Sequence, residues 1–197
     1  RAGYQPDLLE ALVFLLWVVA ALADPLDFPP LTSAIVPGDH VVIAVEPGTP
    51  QTTSLLAGIV KYLLDAKYPL ASIGVVLAPE ASSALAGFPT SLKEHVEFTS
   101  HDPHDPGSLA YLAASEAGDP IYFNKQICDA DLVIPVGTTR IESSLGYLGV
   151  HSGLFPTFSD SATQSRFRSS PDADFRLQQG RRIEVEEAAW LLGVQLL

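Results

Sequence analysis

The side chains whose types and spacing suit chemistry gather on one glycine-rich stretch, Ile141-Glu-Ser-Ser-Leu-Gly-Tyr-Leu-Gly-Val-His-Ser-Gly-Leu-Phe-Pro156. It follows an apolar run, Asp131-Leu-Val-Ile-Pro-Val-Gly137, that reads as a buried strand. A strand opening into a glycine-rich loop is where α/β proteins place ligands. Arg140, just past Gly137, is the cation best positioned for an anionic ligand, because a guanidinium offers paired donors. Tyr147 either covers a bound ring or fills the loop, and packing is the simpler reading. His151 reads as a base or metal ligand, or as a solvent-facing loop histidine. Glu46, at another strand end beside Gly48, is either a turn-stabilising acid or a ligand contact. His101-Asp102 and His104-Asp105 have the composition of a metal cluster, but Asp and Pro at that spacing usually set turns, so no metal site is expected there. Asn124, Asp129 and Asp131 are expected to fix a turn through side-chain to backbone bonds. His40 and His95 head apparent strands and are given no role.

Composition narrows the partners. The chain has 197 residues, 47% of them apolar, and a formal charge of −12. That length suffices for one domain with a real core. Arg1 is the only basic residue before Lys61, and nucleic-acid binding needs clustered Lys and Arg, so no nucleic-acid partner is expected. The single cysteine, Cys128, excludes an internal disulfide and lacks the CxxC pattern of a zinc-thiolate site. A cytoplasmic location fits. The sequence begins at Arg1 and contains no methionine, where ordinary usage gives about four. It reads as a fragment, or as a sequence from which modified residues are missing.

The elements that must hold these side chains follow from hydropathy. Leu8 to Ala23 is expected as a buried helix, with Asp7 near its start and Asp24-Pro25 stopping it. Its ending, Ala21-Leu-Ala23, mimics a signal-peptidase site, but Asp7 and Glu10 stand where a signal peptide carries positive charge. The run is also shorter than the roughly 20 residues of a membrane-spanning helix, so no membrane partner is expected. Strands are expected at His40–Val45, Ser72–Ala78, His95–Thr99, Ile121–Asn124 and Leu132–Val136. Helices are expected at Thr52–Ala66, Leu109–Ala117 and Ile183–Leu192. Pro79 to Pro89 reads as small and flexible, and Phe155 to Asp174 as a long loop or surface segment. The alternation predicts an α/β fold, a Rossmann-like, mostly parallel sheet with helices on both faces. The chain then divides into an apolar helix (1–24), a sheet core (25–150), a loop-rich segment (151–182) and a closing helix (183–193). The apolar helix and the apolar end, Val194-Gln-Leu-Leu197, offer surface for a homo-oligomer or a further domain.

Several blocks, in order, resemble the N-terminal domain of the lactate racemase family. They are Pro25-Leu-Asp-Phe-Pro-Pro-Leu31 with Val36-Pro-Gly-Asp-His-Val-Val-Ile43, Ser100-His-Asp102, Gly118-Asp-Pro-Ile-Tyr-Phe-Asn124, Asp129-Ala-Asp-Leu-Val-Ile134, the Gly146-Tyr147 loop, and Glu184-Val-Glu-Glu-Ala-Ala-Trp190. The resemblance implies an α/β domain followed by a second one that is absent from this chain, with the active site between them. It also implies nickel-pincer nucleotide chemistry, in which a hydride leaves and returns to the α-carbon of a 2-hydroxy acid. In that family histidines act as acid and base, a lysine tethers the cofactor and a histidine ligates nickel.

Carried over residue by residue, the resemblance implies cofactor contacts at Glu46, Gly48, Thr49, Gly146, Tyr147, Gly149 and Ser152, to which the strand-end position adds Arg140. It implies catalytic positions or their neighbours at Ser82, Ser144 and His151. The departures are chemical. Thr49 stands where the family has a phosphate-binding arginine, and a threonine lacks the fixed bidentate charge. Ser82 and Ser144 replace the catalytic histidines. Ser152 replaces the tethering lysine and cannot supply its amine. The nickel ligand falls near Arg168, and no histidine follows His151. The expectation is a member of the family without lactate racemase activity, holding no cofactor or metal and binding a small anionic ligand at the glycine-rich loop. The alternative is a nickel-pincer-nucleotide-dependent racemase or epimerase of a 2-hydroxy acid.

Overall fold

Strands β1 (Val41–Val45) and β2 (Ile73–Leu77) are aliphatic runs buried at every position. Successive strand side chains point to opposite faces, so full burial means that both faces of the sheet are covered. In the computed structural model, which describes residues 8–27, 29–66, 73–85, 87–115, 118–142, 144–168 and 174–194, β1 lies between β2 and β6 (Leu132–Val136), and β3 (Glu97–Ser100) flanks β2. All three pairings are parallel, in the order β3-β2-β1-β6. The expected α/β fold with a parallel sheet holds. Asp7, Ser72, Glu116, Ala117 and 195–197 lie outside the described residues.

Helix α1 (Leu8–Ala23) packs on α2 (Thr52–Asp65), which buries Leu56, Ile59, Val60 and Leu63. Gly58 permits the contact: a Cβ there would stand 2.7 Å from Val18 Cγ1. The first helix is not buried as expected. Leu16 and Trp17 are 60% and 70% exposed, while Leu15, Val18, Val19 and Leu22 face the core. Among the described residues no helix is long and apolar enough to cross a membrane.

Two expectations fail against the elements observed. In place of the helix expected from Leu109 onwards, Leu109–Ala114 is strand β4, antiparallel to β5 (Pro120–Asn124). Leu and Ala favour helix intrinsically, yet cross-strand pairing overrides that preference, with Tyr111 and Tyr122 edge to face at 5.8 Å. The β5 strand therefore belongs to a separate hairpin and not to the parallel sheet. The expected loop from Phe155 to Asp174 contains α6 (Ser161–Arg168), which buries Thr163 and Phe167. Asp160 starts it by accepting from the Ala162 and Thr163 amides at 2.9 and 3.0 Å, a capping arrangement with few apolar residues to announce it. The closing helix, here α7, runs Phe175–Leu191, capped by Asp174 on the Leu177 amide.

The remaining elements are short. The Pro79–Leu85 segment is 3-10 helix, followed by α3 (Thr90–Lys93). Asn124 accepts from the Gln126 and Ile127 amides to open α4 (Lys125–Cys128), and Asp131 accepts from the His40 amide at 2.8 Å. The glycine-rich stretch folds as a hairpin, β7 (Arg140–Glu142) with β8 (Gly146–Leu148), leading into α5 (Val150–Leu154).

Candidate functional site

From β1 the chain moves to β2 on one side, while β6 pairs on the other. Strand order reverses there, and the carboxyl ends of such strands diverge to leave a crevice. Glu46 and Gly137 are the residues that leave the sheet at that point. Glu46 is 2% exposed. Its Oε1 accepts from the Thr138 amide at 2.7 Å, the Thr138 hydroxyl at 3.1 Å and Arg140 Nη1 at 2.7 Å. Glycine is required beside it: a Cβ on Gly137 would lie 2.6 Å from Glu46 Cδ. Arg140 Nη1 also donates to the Thr138 hydroxyl at 3.1 Å. One edge of the guanidinium is thus held by a buried carboxylate. Among the described residues its Nε and Nη2 donate to nothing, and the side chain is 41% exposed.

A cleft of about 830 Å³ runs across the carboxyl ends of the sheet strands. Pro47 follows β1, Ala78 and Glu80 follow β2, His101 to His104 follow β3, and Arg140 follows β6. Glu142, Ser144, Leu148, Ser152, Phe167 and Arg168 also line it. Arg140, Glu142 and Leu148 line this cleft, whereas Ile141 and Tyr147 do not. That division follows from the two-residue period of a strand. Ile141 and its partner Tyr147 occupy the opposite face of the hairpin.

The expected site is therefore divided. Arg140, Ser144 and Ser152 line the main cleft. Tyr147, Gly149 and His151 line a second hollow of about 400 Å³, bounded by Arg182, Val185 and Glu186 of α7 and shared with Ser152. Gly48 and Gly146 have φ of +78° and +85° and serve the turns they occupy. Thr49 is buried, its hydroxyl donating to the Glu46 carbonyl at 3.1 Å. Ser144 donates to Glu142 Oε1 at 3.2 Å. Ser82 lies on the Pro79–Leu85 segment, and its side chain is outside the described atoms.

Ser152 decides how the residues present suit a tethered nickel nucleotide. Its hydroxyl accepts from the Gly149 amide at 2.6 Å and donates to the Gly149 carbonyl at 3.1 Å. The side chain is 6% exposed and closes the first turn of α5. It has neither an amine nor a free donor. Among the described residues no group of three or more His, Cys, Asp and Glu is placed to hold a metal ion. A serine committed in this way does not fit a cofactor tethered through an amine at that position.

In sequence His101 stands out only as part of a His/Asp pair, and its structural place differs. It is 2% exposed. Its Nε2 lies 2.9 Å from the Ser159 carbonyl, which can only accept, so Nε2 carries the proton and Nδ1 accepts from Asn124 Nδ2 at 3.2 Å. Burial holds its pKa below the ordinary 6.5. It joins the ends of β3 and β5 to the segment before α6, forming the floor of the cleft. Strand-end position is the available signal; the Ser159 contact, 58 residues away, is not visible in sequence. Sequence reasoning also misses Arg181. It is 6% exposed, donates to the Arg166 carbonyl at 2.7 Å and lies over the Phe167 ring.

A covered parallel sheet with a cleft over its strand-reversal point is the arrangement of an open α/β domain. Residues 16–167 match the lactate racemase N-terminal domain, and the chain belongs to that family. Two solved structures are similar. The lactate racemase apoprotein of Thermoanaerobacterium thermosaccharolyticum superposes with a TM-score of 0.67 at 19% identity, over 92% of this chain and 47% of that one. A Thermotoga maritima protein gives 0.67 at 14% identity, over 96% and 49%. The chain thus spans about half the length of either, and at these identities the likeness speaks to fold. No curated protein matches it.

Proposed function

We propose that this chain is a ligand-binding member of the lactate racemase family that does not racemise lactate, and that it holds a small anion in the main cleft against Arg140. The observation that carries the binding half is the arginine itself. Glu46 and Thr138 fix one edge of its guanidinium, and the residue lines the cleft. A pre-set fork of donors suits a carboxylate or phosphate, since little side-chain freedom remains to be lost on binding. The other half is supported by Ser152, whose hydroxyl is committed to Gly149 where the resemblance places the tethering lysine. The chain therefore supplies no amine at that point.

Two measurements test the halves separately. Co-expression of the full-length protein with the pincer-nucleotide machinery, followed by intact mass and nickel analysis, is expected to return the unmodified mass without nickel. A nickel-bearing mass increase overturns the non-racemase reading. Calorimetric titration with lactate, acetate and phosphate is expected to show binding by at least one, lost in Arg140→Gln. Binding that survives this substitution refutes the placement.

A further inference from the structure

Arg140 and Glu142 carry opposite charges on one face of β7, two residues apart, and do not pair. The two-residue spacing sets their Cα atoms about 7 Å apart with side chains on the same side of the strand. Both line the cleft, and Ile141 between them is 92% exposed on the other face. Their failure to pair has a cause in the structure. Glu46 draws Arg140 Nη1 towards the sheet at 2.7 Å, and Ser144 engages Glu142 Oε1 through its amide and hydroxyl at 3.4 and 3.2 Å. Each charge is anchored by one edge and left open on the other: Nε and Nη2 of Arg140, and Oε2 of Glu142, have no partner among the described residues. Two opposite charges held apart across a cleft wall form a receptor for a molecule that bridges them.

The charge balance of the cleft supports such a molecule over a simple anion. Arg140 is offset by Glu46, leaving Arg168 among the lining cations against Glu80, Asp102 and Glu142. An anion alone meets an acidic wall. A ligand carrying its own ammonium converts that wall from a repulsive to an attractive surface. We propose that the cleft binds a zwitterionic α-amino acid, its carboxylate on the open edge of Arg140 and its ammonium on Oε2 of Glu142. This inference rests on the anion-binding reading above and adds the second, cationic, recognition point.

Isosteric pairs separate the two ideas, because a 2-hydroxy acid differs from its amino acid only in presenting OH where the other presents ammonium. The purified full chain is titrated calorimetrically with alanine and lactate, leucine and 2-hydroxyisocaproate, and phenylalanine and phenyllactate, each as both enantiomers, with phenethylamine as the amine-only control. At least one amino acid is expected to bind about tenfold or more tightly than its hydroxy partner, the factor a charge-assisted hydrogen bond supports. Glu142→Gln is expected to bring that pair to parity, with an unchanged melting temperature showing that it folds. Arg140→Gln is expected to weaken both members. Equal affinity within every pair overturns the zwitterion inference and leaves the anion site standing. Absence of binding by all of them, acetate and phosphate included, overturns both. Phenethylamine binding as tightly as phenylalanine overturns the shared site in favour of a cation site at Glu142 alone.

Discussion

Substituting Arg140 by glutamine tests whether Glu46 and Arg140 act as one mounted unit. The Glu46 side chain is 2% exposed and the Arg140 side chain 41%. Breaking a fully buried ion pair costs about 3–5 kcal/mol. Here the guanidinium is largely solvated, and the Thr138 amide and hydroxyl remain as donors to the carboxylate. The expected loss is therefore smaller, about 1–2 kcal/mol. For a chain of this size that corresponds to about 2–8 °C in Tm. The assay is a double-mutant cycle in urea or by calorimetric melting, with Glu46→Gln, Arg140→Gln and the pair. Coupling of about 1 kcal/mol or more is expected, because the second substitution removes an interaction already lost. Coupling within about 0.3 kcal/mol of zero shows that Arg140 is not held by Glu46. It removes the basis for a pre-set anion fork.

Gly137→Ala places a Cβ 2.6 Å from Glu46 Cδ; displacement of a buried carboxylate is expected to destabilise by about 2 kcal/mol or more, read as a fall in the urea midpoint. Because burial lowers the His101 pKa on folding, its contribution to stability is complete above pH 6.5. That contribution is lost as pH falls through the folded value, since between the two the unfolded chain binds the extra proton. His101→Gln is expected to flatten that decline below pH 6.5 in denaturant melts, and an unchanged slope refutes the assignment. Ser152→Lys buries an ammonium and breaks the α5 cap, so a loss of about 2–4 kcal/mol is expected; a melting temperature equal to that of the parent contradicts the capping account. Burial raises the Cys128 thiol to about 11, so alkylation by iodoacetamide at neutral pH is expected to be far slower than for a free thiol.

The parallel sheet is legible chiefly through the apolar runs of β1, β2 and β6, whereas β3, Glu97-Phe-Thr-Ser100, shows only as a short alternating segment. Val41–Val45 and Leu132–Val136 admit few other structures, and α2 carries a clear apolar period. The β4 strand is hidden because Leu109-Ala-Tyr-Leu-Ala-Ala114 suits a helix locally, and only its partner β5 makes it a strand. Likewise α6 has little apolar periodicity and depends on a cap at Asp160. Arg140 and Glu46 are both recognisable as strand-end charges. That they engage each other is not, since they lie 94 residues apart in sequence. Division of the glycine-rich stretch into two faces requires knowing that it contains a hairpin. Taken as a loop, it places Tyr147 and His151 beside Arg140; folded as strands, it separates them.

The hydroxyl of Ser152 bears on how such a sequence can change over time. Bonded both ways to Gly149, it is part of what makes α5 begin. A side chain unable to make both bonds, lysine among them, loses that start. Selection for a folded chain therefore opposes change at Ser152, whatever else such a change would bring. The position is thus constrained by folding, whereas Arg140 and Glu142 stand on a hairpin where a change dismantles no helix.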